Sequence, residues 1–143
     1  MYDTDFYTWT QQQAAALREG KVQDLDWLNL AEEIESLGKS DRRALGSHLE
    51  GLVMHLLKWH YQPSGRATGH SWYSTIAEHR RQLTLLVDDS PSLRRAQADL
   101  LARGYLHART RASGETGLPL ATFPETCPWS LEDILDDDFW PES

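Results

Sequence analysis

The residues in this chain best suited to chemistry are imidazoles and carboxylates at helical spacing. His48 and His55 stand seven apart, Asp26 and Glu33 stand seven apart, and His79 follows within a second apolar period. A helix advances about 100° per residue, so a seven-residue step returns a side chain to nearly the same face. His48 and His55 therefore sit together at the edge of a leucine stripe beside Trp59, and His79 falls within the Trp72, Ile76, Leu83 face. Asp26 and Glu33 flank the apolar stripe of an earlier helix, whereas Glu32 and Glu35 point away. An interior lined by two carboxylates and several imidazoles is the chemistry from which helical bundles build zinc, iron or manganese sites. Asp26, Glu33, His48, His55 and His79 are thus the candidate ligands for a divalent metal that would activate a bound water. No Glu-x-x-His pair and no His-Glu-x-x-His occurs in the chain, however. The commoner arrangement, and the one expected, is a buried polar network in which Asp26 and Glu33 accept hydrogen bonds from His or Arg.

The stretch LVMHLLKWHYQP, residues 52–63, carries most of this question. Angular placement sends Lys58 to solvent, Trp59 into the core, and His60 to a different flank from His55. His107 is placed inward near Leu93 and Leu100. Other signatures are missing: there is no Gly-x-x-x-x-Gly-Lys phosphate loop, no Gly-x-Gly-x-x-Gly and no Gly-x-Ser-x-Gly elbow. Cys127, between Thr126 and Pro128, reads as a small packed hydrophobe rather than a nucleophile. Arg80 with Arg81, and Arg94 with Arg95, could pair phosphates or carboxylates, and a solvated helix face or a bridge to an acidic tail is the commoner role. Trp9, Trp27, Trp59 and Trp72 recur at core spacing.

Five helical segments must position these side chains. Phe6, Trp9, Gln13 and Leu17 mark a first helix stopped by Gly20. Asp24 or Asp26 can cap a second, with Trp27, Leu30, Ile34 and Leu37 inward and Gly38 as its stop. Ser40 can cap a third, reading Leu45, Leu49, Leu52, Leu56 and Trp59 until Pro63. After a polar loop, SGRATGH (64–70), Ser71 can cap a fourth helix through Leu86. Ser90 and Pro91 start a fifth, lined by Leu93, Leu100, Gly104, His107 and Ala108 and ending near Ala112. Residues 113–129 hold two glycines and three prolines without a sustained period, which reads as an ordered strap. Ser130 with Asp133 then forms a capping box for a short terminal helix over 130–136, where Trp129 can staple against Ile134.

Composition places the chain among globular proteins, and 143 residues suit a single helical domain over 1–143. No apolar run approaches the roughly 18 residues of a membrane span, and the acidic N-terminus lacks a signal peptide's basic region. One cysteine fits a reducing compartment, so a cytoplasmic protein is expected. Charge is segregated. Residues 1–36 hold eight acids and two bases, residues 37–112 six acids and twelve bases, and residues 113–143 eight acids and no base. A basic centre could bind a polyanion, but a pI near 5.1 argues against nucleic acid, and acidic ends packed on a basic middle is the simpler expectation.

The order of DFYTWTQQQAAALREG, LDWLNLAEEIESLGKSDRRAL, HLLKWHYQP, SWYSTIAEHRRQL, DDSPSLRR and ETGLPLATFPETCPWSLEDILDDDFWP resembles the bacterial family catalogued as domain of unknown function twenty-nine. The resemblance implies a small all-helical bacterial protein and carries no activity, substrate, cofactor or catalytic residue with it. The expected fold is an all-α antiparallel bundle of about five helices, with a proline-rich C-terminal strap and a short terminal helix. The expected function is a non-catalytic protein-interaction or oligomeric module, the alternatives being a metal-dependent helical-bundle enzyme and polyanion binding by the basic middle.

Overall fold

The computed structural model describes the backbone of residues 1–68 and 70–142, and the side chains of all of these but 67, 68 and 70. Six α-helices and no strand are found among the described residues: α1 (Phe6–Glu19), α2 (Trp27–Tyr61), α3 (Ser64–Thr68), α4 (His70–Asp89), α5 (Ala96–Thr116) and α6 (Leu131–Leu135). The fold is an all-α helical bundle, as the periodicity predicts. The chain divides into two units, Met1–Ser40 and Asp41–Ser143.

In the N-terminal unit, Asp5 caps α1 by accepting from the Thr8 backbone N–H (3.1 Å). Gly20 ends the helix at φ 69°, a left-handed conformation that lets its N–H reach the carbonyls of Ala16 and Leu17. Trp9, Gln13 and Ala16 form the buried face. Gln13 ties the connection to α2: its Nε2 donates to the Asp24 carbonyl (3.2 Å) and its Oε1 accepts from the Asp26 N–H (2.7 Å). Of the stripe read as the inner face of the next helix, Leu30 is partly buried and the other three residues are on the outside instead. Trp27, Ile34 and Leu37 are 61%, 66% and 69% exposed. Periodicity identifies an apolar face but carries no information about what covers it.

Gly38 does not stop the helix, and the two segments predicted on either side of it are one 35-residue helix, α2. A glycine inside a helix costs about 1 kcal/mol relative to alanine, which good helix formers on each side can offset. No atom lies within 4 Å of where a Cβ at Gly38 would stand.

The core of the C-terminal unit follows the leucine stripe closely. Leu45, Leu49, Leu52, Val53, Leu56 and Leu57 of α2 are buried with Ile76, Leu83 and Val87 of α4 and with Leu101, Tyr105, Ala108 and Ala112 of α5. Full burial of such an aliphatic side chain contributes about 1.5–3 kcal/mol. The inward face of α5 is turned from the predicted one: Gln97, Leu101, Tyr105, Ala108 and Ala112 are buried, and His107 is exposed, with its Nδ1 2.7 Å from Glu50 Oε1. Lys58, placed in solvent by the angular reading, is only 6% exposed. Its ammonium meets Glu115 Oε1 (3.0 Å) and lies 4.8 Å from the Trp72 ring centroid, so a carboxylate and a π face replace the water it loses.

The loop read over residues 64–70 is helical at Ser64–Thr68, and Gly69 lies outside the described residues. Helix α5 runs one turn further than predicted, to Thr116, where Gly117 (φ 76°) ends it; the extended strap therefore begins at residue 117. Phe123 and Ile134 of the C-terminal segment close the core, and Ser130 Oγ caps α6 by accepting from Asp133 N–H (3.1 Å).

Arginines bind this segment through its main chain. Arg80 Nε donates to the Ile134 carbonyl (2.9 Å) and its Nη2 to the Phe139 carbonyl (2.8 Å). Arg109 Nε donates to the Phe123 carbonyl (3.0 Å), and Tyr105 Oη to the Pro124 carbonyl (2.7 Å). Arg66 reaches the Pro141 carbonyl (3.3 Å) and Glu142 Oε2 (3.4 Å). The basic middle does meet the acidic end, but chiefly at carbonyl oxygens.

Gly38→Ala is expected to raise unfolding stability by about 0.5–1 kcal/mol, because the helix tolerates the methyl and the unfolded chain loses freedom. Urea denaturation followed by circular dichroism measures this.

Candidate functional site

Helix α2 presents His48, Gly51 and His55 on successive turns, and α4 lays His79 over them. The His79 ring lies where a side chain at residue 51 would be: a Cβ there would stand 2.7 Å from His79 Nε2. Gly51 is therefore the position that admits the imidazole. His79 Nδ1 is 2.9 Å from His48 Nδ1, a contact in which one nitrogen carries the proton and the other accepts it. The His55 ring centroid is 6.0 Å from that of His79. His55 Nδ1 donates to the Gly51 carbonyl (2.9 Å), which fixes its tautomer and leaves Nε2 with the lone pair in the neutral ring. His48 and His79 open onto a depression of about 680 Å³ also lined by Thr75, Glu78 and Gln82.

Burial favours the neutral form of two of these rings, His55 and His79. Burial, reinforced by the neighbouring His48 and His55, pushes His79 down to about 4 from an ordinary 6.5. Burial lowers His55 as well, against the opposing hydrogen bond to Gly51. Arg111 adds to the repulsion at both rings and Lys58 at His55; Glu78 opposes it at His79 and Glu115 at His55. Neutral imidazoles can accept a proton or relay one between paired nitrogens.

The five candidate ligands thus fall into two sets. His48, His55 and His79 meet in the C-terminal unit. Asp26 and Glu33 lie in the N-terminal unit with partners of their own. Asp26 Oδ2 accepts from Trp9 Nε1 (3.0 Å) and from Asn29 Nδ2 (2.8 Å), and these bonds hold its carboxyl below the usual range despite partial desolvation. Glu33 accepts from the Tyr2 hydroxyl. The expected network, in which these acids accept from His or Arg, is not the one formed: the donors to the acids are Trp, Asn and Tyr, and the imidazoles bond to one another and to the Gly51 carbonyl. Among the described residues, no group of three His, Cys, Asp or Glu side chains is arranged to hold a metal ion.

His60 is half-buried between the rings of Tyr61 and Trp129, away from this row. Cys127 is partly buried against the core, and desolvation pushes its thiol up. Sequence reasoning missed Gly51, whose signal was available only in part. A glycine four residues before a histidine within a leucine stripe marks a close approach, but not what approaches.

Two outcomes are expected at this row. Gly51→Ala should destabilise the protein by about 1–3 kcal/mol, because a methyl displaces the His79 ring. The depressed His79 value makes the unfolded chain bind more protons than the folded one as pH falls from about 6.5 to about 4. Its contribution is complete above 6.5 and is lost toward 4, so thermal midpoints should fall over that window. His79→Gln should flatten the fall, as calorimetry at a series of pH values would show.

A family model described as "Domain of unknown function DUF29" matches residues 1–140. No curated protein and no solved structure matches the chain. The match over nearly the whole length places the chain in the DUF29 family.

Proposed function

We propose that this protein is a non-catalytic helical interaction module that self-associates through its N-terminal unit. The observation that carries this reading is the exposed apolar face of α2 at Trp27, Ile34 and Leu37, to which α1 adds exposed Phe6 and Leu17. Side chains of this size left in water in a patterned row mark a surface that another protein covers. Acids border the row. Asp26 and Glu33 flank it, and residues 1–40 hold eight acids and three bases, so its partner needs apolar side chains rimmed by positive charge. A second copy of the chain supplies that chemistry: on α5, exposed Leu106 lies one turn from exposed Arg103, and residues 41–112 hold eleven bases and six acids. Reciprocal exchange, each N-terminal unit on the basic middle of the other copy, closes a two-fold dimer. Charge complementarity of this kind speeds encounter and makes association salt-sensitive. The reading suits a reducing compartment such as the cytoplasm, where a single cysteine stays free; among the described residues no helix is long and apolar enough to cross a membrane.

Sedimentation velocity at increasing protein concentration tests the reading. A dimer that weakens with added salt is expected. Trp27→Glu with Ile34→Glu should leave a folded monomer, since exposed substitutions usually change stability by no more than about 0.5 kcal/mol. A chain that stays monomeric throughout, or a dimer indifferent to these substitutions, overturns it.

A further inference from the structure

Arg80 is 2% exposed, yet it makes only two of the hydrogen bonds available to it. Nε and Nη2 donate to the carbonyls of Ile134 and Phe139, while Nη1 is buried and has no partner. Carbonyl oxygens satisfy N–H groups but carry no formal charge, and no ion pair joins Arg80 to a carboxylate among the described residues. A buried guanidinium with an empty nitrogen is costly until an anion meets it.

Beside it lies a cavity of about 380 Å³ between α4 and the C-terminal segment, lined by Tyr73, Arg80, Arg81, Leu85, Asp137 and Trp140 among others. Its walls divide by chemistry. The Tyr73 and Trp140 rings are parallel within 5° at a centroid distance of 4.6 Å, and the Arg80 guanidinium carbon lies 5.2 Å from the Trp140 centroid. Tyr73 and Leu85 are exposed, and so offer apolar surface at the entrance. Arg81 is bound through Nε and Nη2 to Glu78, so Arg80 is the arginine of this lining without an ion pair, and the Asp137 and Asp136 carboxylates act on it only at a distance.

We propose that this cavity is a binding site for a small carboxylate borne on a flat aromatic body, with Arg80 as the anchor of the carboxylate and the Tyr73–Trp140 pair as the wall against which the ring lies. A single free nitrogen meets one oxygen of an anion, and the Asp137 carboxylate in the lining opposes a doubly charged phosphate more strongly than a singly charged carboxylate. The aromatic wall favours a planar body over an aliphatic one. The site is independent of the histidine row and of the exposed face of α2.

Titration of the full chain with benzoate, followed by NMR of the tryptophan indole N–H signals and by calorimetry, tests the proposal. Acetate serves as the anion without a ring, and benzyl alcohol as the ring without a charge. Saturable benzoate binding that shifts the Trp140 signal is expected, with both controls at least about tenfold weaker, since each lacks one of the two recognised parts. Arg80→Lys should abolish binding. Because that change could also loosen the C-terminal segment, Tyr73→Ala at an exposed position is the second variant, and it should weaken benzoate about tenfold while the thermal midpoint holds. Absence of saturable benzoate binding overturns the proposal, as does acetate binding as tightly as benzoate, or benzoate binding unchanged by Tyr73→Ala.

Discussion

A segment without regular secondary structure must still find donors for its main-chain carbonyls when it is drawn onto a core, because an unpaired buried carbonyl costs about as much as a lost hydrogen bond. The C-terminal segment of this protein meets that constraint with side chains from the helices beneath it. Arg80 holds Ile134 and Phe139, Arg109 holds Phe123, Tyr105 holds Pro124, and Ser113 Oγ donates to the Leu118 carbonyl (2.7 Å). These bonds seat Phe123 and Ile134, which complete the hydrophobic core of the C-terminal unit. Without the donors the segment would expose Phe123 and Ile134, and the helices would lose that cover over their shared interior.

The same constraint changes what the charge segregation means. An acidic terminus facing a basic middle suggests carboxylate–arginine pairs, yet the acids at Asp136, Asp137 and Asp138 stay exposed while the carbonyls of Ile134 and Phe139 on either side of them take the Arg80 guanidinium. The carboxylates of Asp137 and Asp136 act on Arg80 only at a distance, and they oppose the desolvation that lowers its affinity for the proton. The charge pattern adds a general attraction, and the main-chain bonds give it register.

Much of the helical framework was legible. Gly20 ends α1, Pro63 follows the end of α2, and Ser130 caps α6, because each acts through local backbone geometry that a residue type dictates. The leucine stripe from Leu45 to Leu56 was legible for a related reason: leucines repeating at three and four form one continuous face. The candidate site was half legible. His48, His55 and His79 do come together on the faces their angles gave, whereas His107, placed inward by the same reading, is exposed, and the partners of Asp26 and Glu33 are side chains that no spacing rule connects to them.

By itself, then, the sequence determined helix content, most helix ends, the core stripe of α2 and the inward turn of three imidazoles, since all of these follow from residue type and a period of 3.6. Tertiary structure alone decided which apolar faces are covered, which is why Trp27 and Ile34 are exposed although they keep core spacing. It also buried Lys58 beside Glu115 and Trp72, and it chose carbonyl oxygens as the acceptors for Arg80. The physical reason is common to all three. Amphipathic period and charge describe what one element offers, whereas burial and hydrogen bonding depend on the element that arrives from elsewhere in the chain, and a backbone carbonyl has no signature in the sequence at all.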